Sequence, residues 1–235
     1  MLLGHKVGLR RIGPEVLATM PSVYELLPHP LTDWSVDLSG KDLNLDLYDV
    51  ATWKRMQWSV FDPGVIGRLR SRFHEPGKAD AHIAALQAYF ARNLERARRF
   101  MWSVTFEEPS SPVKFVVFGG DCVLTPARIV IEPKGDRSLA RLFPYDVQHP
   151  VLGVDYARLM LEPGDGEVTK PSLLARESLN PVAPRNDALF FPLAYAFFLC
   201  EDHERLTGNI NFQDNLLNVL LTRDHPWDAA RAARQ

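Results

Sequence analysis

Cysteine is scarce in this 235-residue chain, which contains only Cys122 and Cys200. The two lie far apart and no Cys-x-x-Cys pair occurs, so neither a zinc ribbon nor a redox motif is indicated. The seven histidines show no His-x-x-x-His spacing. We therefore expect no metal site, and nothing in the sequence indicates a cofactor. The sequence allows a single disulfide between the two cysteines and does not decide whether it forms. The default expectation is two reduced thiols.

An excess of basic residues is also absent, because 27 Lys and Arg oppose 29 Asp and Glu to give a net charge of −2. This balance argues against binding of nucleic acid or of an anionic membrane surface. The longest apolar run, Ala188 to Cys200, is far shorter than the ~20 residues that span a bilayer. The apolar pair after Met1 is too short for a signal peptide. We therefore expect a soluble, cytoplasmic protein with no integral membrane segment.

Repeats and low-complexity tracts are lacking as well, and the hydrophobic content of 46% is typical of a globular chain. The length allows one large domain or two small ones. Residues 1–75 are rich in proline and predict an irregular region, with short helices at Gly13–Met20 and Tyr48–Trp58. Apolar side chains are dense in this region, so we expect it to lie on other structure rather than to form a solvated linker.

The clearest predicted element is a long helix over residues 79–102. Apolar residues recur there at helical spacing, and charged residues fill the opposite side. The apolar residues are Ile83, Leu86, Tyr89, Phe90, Leu94 and Ala97. The pattern favours one amphipathic helix packed on a core over a helix that lies on a membrane surface.

The C-terminal half alternates between predicted strands and helices. Val113–Gly119 and Leu193–Cys200 are apolar runs typical of buried strands, and Arg128–Glu132 is a weaker candidate. Helices are predicted at Thr169–Ser178 and Asn209–Thr222. This alternation predicts an α/β fold with a parallel sheet. Two convincing strands cannot cover a core. Either further strands have a pattern too weak to be recognised, or the rest of the sheet lies in sequence outside this chain.

Two polar residues stand where active-site groups lie in α/β folds. Asp165 occupies a Gly-Asp-Gly turn, and His203 follows the predicted strand that ends at Cys200. In open α/β sheets, functional groups lie beyond the carboxyl ends of strands. The order of acid and then histidine is that of the last two members of a hydrolase triad. Asp121, after the strand that ends at Gly119, is the alternative acid, and an ordinary turn aspartate and surface histidine are the plainer interpretation.

These residues carry a resemblance to a known family. Gly164–Val168 (Gly-Asp-Gly-Glu-Val) resembles the Gly-Asp-Gly-Thr-Val element of the lecithin:cholesterol acyltransferase-like family, in which that Asp is the triad acid. Glu167 stands where the family usually has Thr. Met20–Pro28 (Met-Pro-Ser-Val-Tyr-Glu-Leu-Leu-Pro) is similar to the family's Pro-Ser-x-Tyr-x-Leu-Leu-Pro lid signature and is the most specific part. Val116–Gly120, followed by Thr125–Pro126, is similar to the strand and Thr-Pro turn that precede the acid.

The resemblance covers about residues 12–221 and implies a partial α/β-hydrolase fold, namely the C-terminal half of a mostly parallel sheet with flanking helices. Residues 1–112 would form a lid-like region, residues 113–224 the C-terminal part of the hydrolase core, and residues 225–235 a tail. The implied activity is that of a lipase, esterase or O-acyltransferase on a lipid-like ester. The aspartate and histidine named above would be its acid and base.

The nucleophile of such an enzyme is missing, because no Gly-x-Ser-x-Gly motif occurs in the sequence. Gly4–Gly8 has the glycine spacing but Lys6 at the serine position, and neither Ser22 nor Ser172 lies in such a motif. We expect the serine to come from upstream sequence and the isolated chain to show negligible esterase activity. The alternative is a non-catalytic remnant or interaction module. An incomplete sheet further predicts association with an N-terminal half or with a second copy.

Overall fold

The structure is a computed structural model that describes residues 6–7, 10–30, 32–104, 115–174 and 193–222. Three sequence predictions fall partly or wholly outside these residues. They are the start of the predicted strand at Val113, the end of the predicted helix at Ser178 and the tail at 225–235.

The described residues form eight α-helices and nine strands. The helices are α1 (Pro14–Leu17), α2 (Pro21–Tyr24), α3 (Val50–Met56), α4 (Pro63–Arg70), α5 (Pro76–Ser103), α6 (Tyr156–Met160), α7 (Lys170–Leu173) and α8 (Ile210–Leu221). The strands are β1 (Lys6–Val7), β2 (Arg10–Arg11), β3 (Ser35–Val36), β4 (Phe115–Gly120), β5 (Val123–Pro126), β6 (Ile129–Lys134), β7 (Arg137–Arg141), β8 (Leu161–Gly164) and β9 (Leu193–Leu199). Short 3-10 helices lie at Ser59–Phe61, Pro144–Asp146 and Leu206–Gly208.

The chain divides into two compact units. Unit 1 comprises Met1–Thr105 and Ile129–Val154, and unit 2 comprises Phe106–Arg128 and Asp155–Gln235. The sequence analysis instead placed the whole of 113–224 in one segment. The difference arises because β6 pairs with β3 of the N-terminal region, and this pairing carries residues 129–154 into unit 1.

Unit 1 is built on α5, which confirms the helix predicted over 79–102. Pro76 is its first helical residue, a position where the missing N–H of proline costs no helical hydrogen bond. Five of the six apolar residues at helical spacing are buried: Ile83, Leu86, Phe90, Leu94 and Ala97. Phe90 is fully enclosed, and the rings of Trp53, Tyr24 and Phe61 meet it at 5.0, 5.2 and 5.8 Å between centroids.

Two residues of the segment that resembles a lid signature, Tyr24 and Leu27, lie in the core of unit 1, whereas Leu26 is exposed. Tyr24 on α2 is buried, and its hydroxyl donates to the carbonyl oxygen of Ala18 at 2.5 Å. The hydroxyl of Tyr48 donates to the carbonyl oxygen of Leu27 at 3.2 Å. These contacts fix the segment by packing and hydrogen bonds, and its role as a lid stays a prediction.

The strands form four small sheets in the part of the chain that the structure describes. In unit 1, β6 lies between β3, to which it is parallel, and β7, to which it is antiparallel, and β1 pairs with β2. In unit 2, β4 and β9 are parallel, while β5 and β8 are antiparallel. The predicted mixed α/β class is therefore confirmed. In unit 2 the parallel pairing is that of β4 with β9, and the hydrolase fold stays a prediction.

Aromatic packing attaches α8 to the parallel pair of unit 2. Phe118 on β4 contacts Phe197 on β9 and Phe212 on α8, with centroid distances of 6.2 and 5.1 Å. The helix begins after Asn209, whose side chain accepts a hydrogen bond from the N–H of Asn211 at 2.9 Å. This arrangement confirms the helix predicted at 209–222. Among the described helices, none has the length and apolar character needed to cross a membrane.

Candidate functional site

Asp165 and His203 are brought together by two strand ends of unit 2. Asp165 is the first residue after β8, and His203 is the fourth residue after β9. Gly166 has φ +100°, a conformation that glycine adopts without strain, and the chain therefore turns sharply after the aspartate. The buried hydroxyl of Thr125 on β5 supports this turn by accepting the N–H of Gly166 at 2.8 Å.

The two residues form a carboxylate–imidazole pair. Oδ2 of Asp165 lies 2.8 Å from Nδ1 of His203. The other carboxylate oxygen, Oδ1, accepts the N–H groups of Glu167 and Val168 at 3.1 and 2.8 Å. The His203 N–H also donates to the carbonyl oxygen of Asp165 at 2.9 Å. Backbone and side chain of the histidine are thus both held by one aspartate, and Nδ1 is the ring nitrogen in contact with it.

Burial and hydrogen bonding act in opposite directions on Asp165. The side chain is only 5% exposed, and this burial disfavours its charge. The hydrogen bonds from Val168, the His203 ring and the N–H of Glu167 outweigh burial and hold the pKa of Asp165 below its ordinary value. The aspartate is therefore ionised at neutral pH.

The pKa of His203 is raised in turn. The hydrogen bond with Asp165 is the largest cause, partial burial opposes it, and the negative charges of Asp165, Glu167 and Glu204 add to the rise. The side chain of His203 is 53% exposed. The pair therefore has an ionised, buried carboxylate behind a more basic and accessible imidazole, which is the arrangement that a general base requires.

Gly120, the last residue of β4, leaves room for this pair. A Cβ atom built on Gly120 would collide with the carbonyl oxygen of Glu201 and would lie 2.8 Å from Cβ of Asp165. The strand end thus fits directly against the aspartate and against the loop that leads to His203. The sequence analysis named Gly120 only as part of a strand motif and did not place it at the site. A Gly-Gly doublet at a strand end is a pattern that can mark a close approach of the backbone.

Asp121, the alternative acid, is paired elsewhere. Its Oδ2 lies 2.7 Å from Nζ of Lys170. The same ammonium group lies 4.3 Å from the centroid of the Phe198 ring, where it gains a cation–π contact. His203 is thus paired with Asp165, whereas Asp121 is paired with the ammonium group of Lys170.

The default expectation of two reduced thiols is wrong, because Cys122 and Cys200 form a disulfide with their Cα atoms 4.9 Å apart. The parallel register brings them together: Gly120 pairs with Leu199, so the residues just beyond both strand ends are neighbours. Both cysteines are exposed. The spacing of 78 residues in the sequence gave no sign of this proximity.

Unit 1 contains a second carboxylate–imidazole pair that the sequence analysis missed. Oε1 of Glu132 lies 2.7 Å from Nδ1 of His149. The carboxylate of Glu132, however, also pairs with Arg141 and accepts the backbone N–H groups of Gln148 and His149. Glu132 is therefore neutralised by a cation and anchors a loop, whereas the Asp165 carboxylate, among the described residues, is hydrogen-bonded to the histidine and two backbone amides. For this reason the pair in unit 2 is the better candidate site.

Among the described residues 10–30, 32–104, 115–174 and 195–222, no hydroxyl nucleophile is hydrogen-bonded to the ring of His203. Ser22 lies on α2 of unit 1, and Ser172 lies on α7, where its N–H donates to the Thr169 hydroxyl at 3.3 Å. Over the same described residues, no group of three or more His, Cys, Asp and Glu side chains could hold a metal ion.

Comparisons with protein-family models, with curated proteins and with solved structures found no match to this chain. The residues themselves therefore carry the functional argument.

Proposed function

We propose that this chain carries the acid and the base of a serine esterase or O-acyltransferase that resembles the lecithin:cholesterol acyltransferase-like lipases and acts on a lipid-like ester. The single observation that supports this proposal is the 2.8 Å contact between Oδ2 of Asp165 and Nδ1 of His203. It joins the two residues that the family resemblance indicated, although 38 positions separate them in the chain.

The chemistry follows from the orientation of the histidine ring. With Nδ1 donating to Asp165, Nε2 is unprotonated and can accept the proton of a serine hydroxyl. The serine oxygen attacks the ester carbonyl, and the resulting imidazolium of His203 gives its proton to the departing alcohol. Water or an acceptor alcohol then attacks the acyl-serine, with His203 again acting as base. Asp165 remains ionised throughout and stabilises the imidazolium.

The serine in this proposal lies on a segment outside the 235 residues, in a Gly-x-Ser-x-Gly turn. The N–H groups that stabilise the oxyanion come from the same segment. Because an acid and a base without nucleophile or oxyanion donors give little acyl transfer, we expect the chain alone to release no p-nitrophenol from p-nitrophenyl esters above background.

The decisive experiment uses the coding sequence upstream of Met1. It should encode, in frame, a Gly-x-Ser-x-Gly motif, and the longer product should hydrolyse p-nitrophenyl esters and be labelled by a fluorophosphonate. His203→Ala should abolish turnover, while Asp121→Asn, which removes the rival carboxylate, should retain it. An in-frame stop codon without such a motif, or a longer product in which His203→Ala is fully active, would refute the proposal.

A non-catalytic interaction module is the second candidate. Its supporting observation is the two-stranded parallel β4–β9 sheet, whose outer edges have no partner strand among the described residues, since such edges readily accept a further strand. Size-exclusion chromatography with light scattering tests it. A stable dimer or complex in which His203→Ala changes nothing would favour this function over the first.

The sequence and the disulfide favour different cellular locations. A cytoplasmic location is the expectation from the sequence, whereas the Cys122–Cys200 disulfide favours an oxidising compartment. Fractionation of the source cells, with alkylation of free thiols before lysis, distinguishes the two.

A further inference from the structure

We propose that the Cys122–Cys200 disulfide is a positioning element for the candidate site: it holds the loop that carries His203 against Asp165, and its cleavage by a dithiol loosens the contact between the two side chains. The inference deepens the proposed function, because the pair it positions is the proposed acid and base. Its test needs no turnover, so the two can fail separately.

The argument begins with the place of the bond. Cys200 is the first residue after β9, and only two residues separate it from His203. Cys122 lies two residues beyond the end of β4. The disulfide therefore ties the start of the histidine loop to the neighbouring strand, and it does so at the strand ends where the carboxylate also lies.

The other contacts of this loop are single hydrogen bonds. The Asp121 N–H donates to the Leu199 carbonyl oxygen at 3.2 Å. The side chain of Glu201 accepts Asn209 Nδ2 at 3.0 Å. The His203 N–H bonds the Asp165 carbonyl oxygen at 2.9 Å. Each is a single hydrogen bond of ordinary net strength, so the disulfide is the one covalent tether among them.

Close packing at Gly120 links the position of the histidine loop to that of Asp165. The strand end at Gly120 fits against both the Glu201 carbonyl and Cβ of Asp165. A shift of the loop away from β4 moves Glu201, and His203 two residues later, relative to a carboxylate that two backbone N–H groups hold in place. The Oδ2–Nδ1 contact is therefore expected to lengthen when the bond is cut.

Cleavage is chemically accessible because both cysteines are exposed. A thiolate of the dithiol attacks one sulfur and displaces the other as a thiolate, which gives a mixed disulfide. The second thiol of the reagent then displaces the protein sulfur and closes a cyclic disulfide. Two electrons and two protons pass from the dithiol to the cystine, and Cys122 and Cys200 become thiols.

The test follows the ring signal of His203 by NMR through a pH titration from about 4 to 8, below the ordinary pKa of a cysteine thiol, ~8.5. The charged groups that act on the ring are Asp165, Glu167 and Glu204. Reduction of the disulfide does not alter the charge of any of the three. Dithiothreitol should move the pKa of His203 down by roughly half a unit or more toward its ordinary value, and reoxidation should restore it. Cys122→Ser with Cys200→Ser should match the reduced protein.

Two controls keep the test decisive. The His149 signal in unit 1, on its own carboxylate partner Glu132, should not respond to reduction. The amide signals of β4 and β9 should stay dispersed, which shows that unit 2 remains folded. An unchanged His203 titration with the bond reduced would overturn the proposal. So would collapse of the β4 and β9 signals, because the disulfide would then support the fold as a whole and not the position of the histidine.

Discussion

Replacing Gly120 with alanine tests the close approach between the end of β4 and the candidate site. The added methyl group would meet the backbone oxygen of Glu201 and Cβ of Asp165, at 2.8 Å in the latter case. Neither atom can rotate away, because one is backbone and the other is fixed to it. The strand end must therefore shift.

Two other glycines provide a graded series. At Gly119 a new Cβ meets the end of the Leu173 side chain, which can change rotamer, and at Gly208 nothing lies within 4 Å. Overpacking typically costs about 1–3 kcal/mol. We therefore expect losses in the free energy of unfolding of about 2–3 kcal/mol for Gly120→Ala, about 1 kcal/mol for Gly119→Ala and under ~0.5 kcal/mol for Gly208→Ala.

The assay is urea unfolding followed by the amide NMR signals of β4 and β9, which report on unit 2 alone. A second readout is the pKa of His203, which should fall in Gly120→Ala because Asp165 is displaced and should hold in Gly208→Ala. If Gly120→Ala proves as stable as Gly208→Ala and leaves the histidine titration unchanged, the tight packing inferred at this strand end does not exist in solution.

Three further predictions concern charge and packing. Asp165→Asn should lower the pKa of His203 toward ~6.5. In the wild type, the pair stabilises the fold below pH ~6.5, and this stabilisation is lost as the pH rises through the raised pKa of His203. The variant should lack this pH dependence when the free energy of unfolding is measured against pH. Burial opposes the charge of Glu132, but hydrogen bonds led by Arg141 lower its pKa to about 2, so its stabilisation should be full above pH ~4.5 and fade as pH falls toward 2. Glu132→Gln should remove this loss of stability at acid pH. It should also lower the free energy of unfolding by about 3 kcal/mol, measured by urea unfolding of unit 1 at pH 7. Phe90→Ala should cost about 3–5 kcal/mol in the same measurement, because three aromatic rings lose their common partner.

Elements with strong local patterns were predictable from the sequence. The buried positions of α5 recur every three or four residues, so the periodicity alone located both the helix and its inward face. β4 and β9 are apolar and contain several β-branched or aromatic residues, and α8 has a capping asparagine. In each case the information lies within one continuous stretch of chain.

Pairings between distant and weakly patterned segments were not predictable. β5 (Val-Leu-Thr-Pro) and β8 (Leu-Glu-Pro-Gly) each contain proline and lack an alternating pattern, and their antiparallel pairing depends on tertiary contact. β7 is polar at both ends, and the pairing of β6 with β3 depends on only two residues of β3. The same limit explains why the sequence could not decide the disulfide.

The candidate site was partly predictable. The order of Asp165 and His203, the Gly-Asp-Gly turn and the place of His203 after a predicted strand suggested that the two residues meet, and their side chains are in contact. The sequence did not show that Gly120 and Thr125 support the turn, because both act through space on residues more than 40 positions away. The sequence also did not show that Asp121 pairs with Lys170, so it could not exclude Asp121 as the acid.

The covalent ring closed by Cys122 and Cys200 has a consequence for fragmentation. A protease that cuts one peptide bond anywhere between the two cysteines opens the ring without releasing a piece, because both products stay attached through sulfur. Such a nicked molecule migrates near full mass on a gel run without reductant and separates into two bands when the sample is boiled with thiol.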